Sequence, residues 1–266
     1  MTTDSRYSSQ PQILISVFII AKNEEDRIQK AIESVIDWVD EVIVIDSGSE
    51  DKTVQVAQAS GAKVIYNSWQ GYGQQKRFGE DQCKHPWILN IDADERVTPE
   101  AKNEIQTILS GEPKYSGYRM SFKDIMPFEL TPHRRAWATN HLRLYDVRQG
   151  RFRNHSSLDS VVMDKSIVDS IKSPCHHQSI RSFDHLVAKA NFYTNLQADD
   201  MTKKGRIIGA GRLLIEFPIS FIKAYFLRHY YIYGVYGFGF SMIFAFSKFL
   251  RLAKRYEQQL QQKMKP

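Results

Sequence analysis

Asp92 and Asp94 stand two residues apart, directly after the apolar run Trp87–Ile91 (WILNI). Carboxylate oxygens are hard donors, and a pair at this spacing suits Mg2+ or Mn2+. An ion held there would neutralise a diphosphate leaving group by Lewis-acid chemistry. A helix start, Thr98-Pro99-Glu100, follows at once. The alternative reading of the pair is a solvated turn whose aspartates cap that helix. Two other polar clusters end apolar runs in the same way. Ala21–Glu25 (AKNEE) follows Ile13–Ile20 (ILISVFII), and Asp46-Ser47-Gly48-Ser49 follows Glu41–Ile45 (EVIVI). In the second cluster Gly48 permits positive φ, and Ser49 or Asp51 can cap the next helix. Asp46, at the end of the run, can also accept hydrogen bonds from a nucleotide base or ribose.

Short apolar runs of this kind suit strands buried on both faces of a parallel sheet. Between the first two, Ile28, Ile32, Val35 and Ile36 recur at helical spacing. Thr53–Ala59 reads as a helix ending near Gly61, and Lys63–Tyr66 as a third strand. Strands alternating with helices predict an α/β fold with a mostly parallel sheet. Ligands of such sheets bind beyond the carboxyl ends of the strands, where all three polar clusters fall, so one shared site is expected. After about residue 113 the pattern is less regular: Tyr118–Phe122 and His141–Tyr145 are strand candidates, and Ser182–Leu196 a helix.

The chain has 266 residues, 42% hydrophobic and 25% charged, enough for a normal core and unlike a disordered chain. Its two cysteines, Cys83 and Cys175, are too few for a disulfide framework and point to a reducing compartment. Met1–Gln12 is polar, with no secretory signal. Residues 201–266 hold twelve Lys/Arg and two Asp/Glu, a balance of +10, against +6 for the chain. Residues 1–200 therefore sum to −4, which argues against a nucleic-acid-binding body and for a tail meeting an anionic surface. Leu213–Leu250 holds thirteen Phe/Tyr in 38 residues, and 18 residues between His229 and Lys248 carry no charge. We expect residues 205–255 to form short interfacial helices that attach to a membrane without spanning it. Gly234, Gly237 and Gly239 lower helix propensity, and the tyrosines favour the headgroup boundary. The expected domains are 1–200, a catalytic domain (1–112 for the donor, 113–200 for the acceptor), and 201–266, a basic, aromatic-rich membrane-associating region.

Taken in order, ISVFIIAKNEE, VIVIDSGSEDKT and WILNIDADERVTPE resemble the opening strands and D-x-D region of family 2 glycosyltransferases. Asn67–Arg77 is similar to the W-x-G-(F/Y)-(G/A)-x-Q-(K/R) stretch of the lipopolysaccharide-core branch known as beta-1,4-glucosyltransferases. The resemblance implies a GT-A fold, a UDP-sugar donor, a divalent metal (Mg2+ or Mn2+) and an inverting mechanism. Carried over, Ala21, Asn23 and Glu24 line the nucleotide pocket, and Asp46 faces the uracil or ribose. Lys76 or Arg77 meets the base or diphosphate, unless both lie on a solvated helical face. Asp92 lies near the ribose and Asp94 holds the metal.

An inverting transfer also needs a carboxylate to take the acceptor hydroxyl's proton. The branch often has a His-Glu pair in its second half; here Leu158 stands where His would and Asp159 where Glu would. Asp159 is the expected base, with Asp146, His155 and Asp124 as rivals. His176-His177 resembles a late family His; a neighbouring pair could suggest a metal, but adjacent side chains in an extended segment point apart, so His177 is read as hydrogen-bonding or acceptor-side. Arg143 matches a family Arg, binding an acceptor phosphate or carboxylate or pairing with a nearby acid. The implied partners are a nucleotide sugar, a lipid-linked glycan plausible as lipopolysaccharide inner core, and an anionic membrane surface, without nucleic acid. The implied location is the cytoplasmic face of the bacterial inner membrane, peripheral or monotopic. A polyprenyl-phosphate glycosyltransferase and a non-catalytic membrane-bound scaffold of the same fold stay open as alternatives.

Overall fold

The computed structural model describes residues 14–155 and 159–264; the expectations about Met1–Gln12 and Leu158 fall outside these. The chain divides into two compact units. The first comprises the residues up to Lys123 together with Ala138–His177, and the second Asp124–Trp137 with Gln178 onward. The expected boundary at residue 200 therefore moves to 177, and the segment after Lys123 joins the second unit.

In the first unit β1 (Ile15–Ala21), α1 (Ile28–Glu33), β2 (Glu41–Asp46), α2 (Thr53–Ala59), β3 (Lys63–Tyr66), α3 (Tyr72–Asp81) and β4 (Trp87–Asp92) follow in order. β1 pairs in parallel with β2 and β4, and β2 with β3, giving the order β3-β2-β1-β4. Both faces of β1, β2 and β4 are buried, as their apolar runs require, while β3 at the sheet edge is exposed at Lys63 and Tyr66. Side chains alternate between two cores: Ile15, Val17, Ile19, Val42, Val44, Leu89 and Ile91 enter one, and Phe18, Ile43, Ile45 and Ile88 the other. The register sets Ala21 beside Asp46 and Ile20 beside Asp92, so the three polar clusters end at one edge.

β5 (Glu95–Arg96) and α4 (Pro99–Leu109) come next, with Thr98 accepting the Ala101 N–H as α4's cap. β6 (Gly117–Asp124) and β7 (Ala138–Asp146) form an antiparallel pair, and β7 lies antiparallel against β4. Their cores match the expected strand candidates Tyr118–Phe122 and His141–Tyr145. The unit closes with β8 (Arg151–Phe152) paired to β9 (Val161–Val162), β10 (Val168–Ser170) on β6, and β11 (Cys175–His177) antiparallel to β5. α3 packs tightly on the sheet: a Cβ at Gly79 would lie 2.6 Å from the Phe18 ring. That close approach sets how far Lys76, one turn earlier, reaches into the sheet edge.

The second unit is helical: α5 (Phe183–Lys203), α6 (Ala210–Ile222), a π-turn at Lys223–Leu227, a 3-10 turn at Tyr230–Tyr233, and α7 (Gly234–Met264). Ser182 caps α5 by accepting the His185 N–H, so the expected helix starts on its cap and runs seven residues beyond Leu196. α5 belongs here because α7 holds it: Lys254 Nζ donates to Asn195 at 2.6 Å, and Gln258 to Asp199 at 2.9 Å. Met126, Ile180, Ala224 and Tyr230 form a buried cluster, and the Tyr230 hydroxyl donates to Asp124 at 2.8 Å. The expected short second helix is instead one continuous helix of 31 residues, about 46 Å long. Its glycines serve packing rather than interruption. Gly234 opens the helix, a Cβ at Gly237 would overlap the Tyr230 carbonyl at 1.8 Å, and one at Gly239 would meet the Phe183 ring at 2.9 Å. Among the described residues one helical stretch, Tyr230–Met264, is long and apolar enough to cross a membrane by length and composition; its apolar window is 22% buried.

Candidate functional site

The site is built where β1, β2 and β4 end. The turns after β1 and β2 are laced together. Asn23, at φ 56°, donates its N–H to Ser49 Oγ at 2.9 Å and accepts the Glu50 N–H on Oδ1 at 2.9 Å. The Glu24 N–H donates to Thr53 Oγ1 at 2.7 Å. A left-handed non-glycine residue is costly unless its surroundings fix it, and these bonds do so. Asp46 is buried and already engaged: its carboxylate accepts the N–H groups of Gly48 at 2.8 Å and Ser49 at 3.0 Å, and the Ser49 hydroxyl at 2.5 Å. Its geometry is that of a turn cap, and Gly48 at φ 88° completes the turn.

Asp92 lies between two cations. Arg143 Nη2 donates to Asp92 Oδ2 at 2.6 Å, and Lys76 Nζ stands 2.9 Å from Asp92 Oδ1. Burial opposes the charge of Asp92, but Arg143 and Lys76 outweigh it and hold the carboxyl well below its usual range. Lys76 is itself almost fully buried and also donates to Asp159 Oδ2 at 3.1 Å; the Asp159 side chain is 49% exposed. One ammonium thus bridges the strand-end carboxylate and the carboxylate expected as base. Arg77, one residue on, points elsewhere, donating to the Phe152 carbonyl at 3.1 Å. Of the expected pair, Lys76 reaches the cluster and Arg77 does not, because consecutive helical side chains diverge.

Arg143 also donates to Asn90 Oδ1 at 2.6 Å and to Glu95 Oε1 at 2.7 Å. It is buried, so the acceptor-binding expectation gives way to the other one, pairing with acids. Burial pushes Glu95 up while Arg143 opposes, and the surrounding carboxylates raise Arg143 against its own burial. Glu95 Oε2 in turn accepts the Asp92 N–H at 2.9 Å, fixing the turn that carries Asp94.

Asp94 faces His177 and Arg27. His177 Nε2 is 3.6 Å from Asp94 Oδ1, and Arg27 Nη1 is 3.5 Å from Oδ2; Arg27 also pairs with Glu24. Burial would raise the Asp94 carboxyl, but the His177 hydrogen bond and the charges of His177 and Arg27 bring it down to about 2. β11 pairs with β5 so that His177 lies opposite Glu95, which brings a residue expected on the acceptor side to the D-x-D instead. Carboxylate plus imidazole is a donor set that suits a divalent ion such as Mn2+. Among the described residues no three His, Cys, Asp or Glu side chains cluster as a complete metal cage. Two protein ligands fit an ion that shares its remaining positions with phosphate and water.

Two of the rival bases, Asp146 and Asp124, lie away from the ends of β1, β2 and β4. Asp146 lies opposite Trp87, at the amino end of β4, and is bound by Arg148 at 2.6 Å. Asp124 belongs to the second unit, under Tyr230. The His155 carbonyl accepts the Gly73 N–H at 3.0 Å. Sequence reasoning missed Arg27, Asn90 and Glu95. Asn90 left a signal, an amide inside an otherwise apolar strand, because a buried amide needs a partner.

Strand-end carboxylates, a buried ammonium and a carboxylate-imidazole pair thus gather at one edge of a mostly parallel sheet of GT-A-like fold. Residues 16–166 match the family profile described as Glycosyl transferase family 2, and the chain belongs to that family. It is 42% identical over 257 residues to an uncharacterized glycosyltransferase of Rickettsia bellii, covering 93% of this chain and 87% of that one. It is 30% identical over 255 residues to the lipopolysaccharide core biosynthesis glycosyltransferase LpsC of Rhizobium meliloti, covering 93% and 94%. The crystal structure of glucosyl-3-phosphoglycerate synthase from Mycobacterium tuberculosis with Mn2+, UDP and glucosyl-3-phosphoglycerate overlaps 42% of this chain and 43% of its own, at 29% identity and a TM-score of 0.34.

Proposed function

We propose that the chain is an inverting, metal-dependent glycosyltransferase that moves a hexose, glucose by branch analogy, from a UDP-sugar to a lipid-linked glycan. A lipopolysaccharide inner core fits this acceptor class, given the likeness to LpsC. The observation that carries the reading is the carboxylate-imidazole pair Asp94–His177 beside Asp92, Lys76 and Asp159 at one sheet edge. Mg2+ or Mn2+ held by Asp94 and His177 would supply Lewis-acid neutralisation of the diphosphate. Ala21, Asn23 and Glu24 form the rigid wall against which the nucleotide lies. Lys76 presents a point charge to the incoming diphosphate, and its swing from the carboxylates toward phosphate frees Asp159 to accept the acceptor hydroxyl's proton as that hydroxyl attacks the anomeric carbon. Arg143 acts through Asp92 and Glu95 and positions them.

The enzyme works at the cytoplasmic face of the bacterial inner membrane, peripheral or monotopic. Supporting this, α6 exposes Leu214, Ile215, Ile219 and Ile222, and α7 exposes Val235, Phe238, Met242 and Phe246 at helical spacing. Thermal-shift screening against UDP-, GDP- and dTDP-sugars with and without Mn2+ tests the donor. UDP release on adding a saccharolipid or a polyprenyl phosphate tests the acceptor. A shift of equal size for all donors, without Mn2+ dependence, sinks the donor and metal reading. Flotation with anionic vesicles tests attachment, and a full-length chain that ignores them defeats it.

A further inference from the structure

The second unit carries two adjoining cavities, one mainly aromatic and the next basic. Between α5 and α7, a cavity of about 200 Å³ is lined by Leu186, Tyr193, Phe240, Ile243 and Phe244, with Lys189 and Lys248 at its wall. Further along the same two helices, a second cavity of about 310 Å³ is lined by Arg206, Arg212 and Arg251, together with Ile208 and Leu252. Gln197 lines both, so the two adjoin as a trough with an aromatic end and a cationic end.

The cationic end lacks enough anions of its own. Glu216 stands 3.6 Å from both Arg212 and Arg251, and Asp200 is taken by Lys204 at 2.7 Å. Burial lowers the Lys248 ammonium's affinity for its proton, and the like charges of Arg251, Arg228 and Lys223 lower it further. Lys248 lies over the Phe244 ring at 4.9 Å and feels the charge of Glu216, with no salt bridge among the described residues. Arg251 Nε is buried without a hydrogen-bond partner among the described residues. Arg255, one turn further along α7, is 3% exposed; its Nε donates to the Arg206 carbonyl at 2.8 Å, and its Nη1 is buried without a hydrogen-bond partner among the described residues. Buried guanidinium donors left unpaired are costly, and a phosphate satisfies several at once.

We infer that this trough binds an anionic lipid, its phosphate among Arg212, Lys248 and Arg251 and its chain along Phe240, Ile243 and Phe244. A neutral apolar partner would leave the cations unpaired, and a free anion would leave the aromatic end empty; an amphiphilic phosphate matches both. The inference rests on the membrane location proposed above and adds a discrete binding site to the non-specific attachment of the exposed apolar stripes.

The test is calorimetric titration of the full chain, in neutral detergent, with dihexanoyl phosphatidic acid below its micelle concentration. Dihexanoyl phosphatidylcholine and inorganic phosphate are the comparison probes. Saturable binding of phosphatidic acid, about tenfold tighter than either comparison, is expected, with a loss of about fivefold for each of Arg212→Gln, Lys248→Gln and Arg251→Gln. If Arg251→Gln fails to fold, Lys248→Gln, which breaks no hydrogen bond or salt bridge among the described residues, carries the test. Equal binding of both lipids, equal binding of phosphate alone, or unchanged affinity in Lys248→Gln overturns the site. UDP release with a glycolipid acceptor separates this from the transferase reading. Lipid binding without sugar transfer leaves the site standing and removes the activity, and transfer without lipid preference does the reverse.

Discussion

His177 Nε2 lies 3.6 Å from Asp94 Oδ1, a contact made only because β11 pairs with β5. If the two share a divalent ion, Asp94→Ala abolishes sugar transfer and Mn2+-dependent UDP-sugar binding, and His177→Ala weakens Mn2+ binding, with the fold intact in both. Isothermal titration of Mn2+ in the presence of UDP reads this directly. Full activity of Asp94→Ala in excess EDTA excludes the role.

Asp94 also marks the acid limb of stability. Its carboxyl sits at about 2 against an ordinary value of 3.8. A depressed folded value means the unfolded chain takes up the proton first. The stabilisation is therefore complete above about pH 4 and is lost as pH falls toward 2, roughly 2 kcal/mol in all. Urea unfolding in EDTA between pH 5 and pH 2 is expected to show this slope, and Asp94→Asn to flatten it.

The roles proposed for Lys76 and Asp159 divide binding from chemistry. Lys76→Gln is expected to weaken UDP-sugar binding, whereas Arg77→Gln leaves it near wild type. Asp159→Asn keeps nucleotide binding and lowers turnover by about 10²–10⁴. Single-turnover rates beside binding curves separate the two effects. A turnover for Asp159→Asn within a few-fold of wild type places the base elsewhere.

Arg143 answers to two buried or half-buried acids and Asn90. Arg143→Ala strands those carboxylates, at a cost of about 3–5 kcal/mol. Arg143→Lys cannot bridge three acceptors with one ammonium and falls between. Chemical denaturation gives both values. A loss under about 1 kcal/mol for the alanine variant contradicts the network.

Gly237→Ala tests the turn into α7. The added Cβ would lie 1.8 Å from the Tyr230 carbonyl, a clash with backbone that no rotamer relieves. A destabilisation of more than about 2 kcal/mol is expected, with the Tyr230–Asp124 bond disturbed, which tyrosine fluorescence and thermal melts follow. Gly209→Ala, where an added Cβ meets nothing within 4 Å, is the control.

The first half of the fold was legible because each strand there is a short apolar run whose alternate residues fill two cores. Ile43 and Val44, adjacent in sequence, enter opposite ones. The D-x-D position was legible for the same reason, since a strand's end is visible in its composition. What stayed hidden depends on long-range pairing. Nothing local says that His177 meets Asp94, or that Arg143 is buried against Glu95 rather than facing an acceptor. The length of α7 was hidden by its glycines, which read as breaks and serve as contact points for Tyr230 and Phe183.

The excursion of Asp124–Trp137 into the second unit has a consequence for synthesis on the ribosome. Met126 and Trp137 emerge well before Tyr230 and Phe244, with which they form one apolar cluster. At about 5–20 residues per second, that interval is several seconds to some tens of seconds. Throughout it, the β6–β7 hairpin must carry an uncovered apolar loop. Truncations that stop before α7 make that exposure permanent, so shortened chains should be recovered as aggregates rather than as a soluble catalytic half.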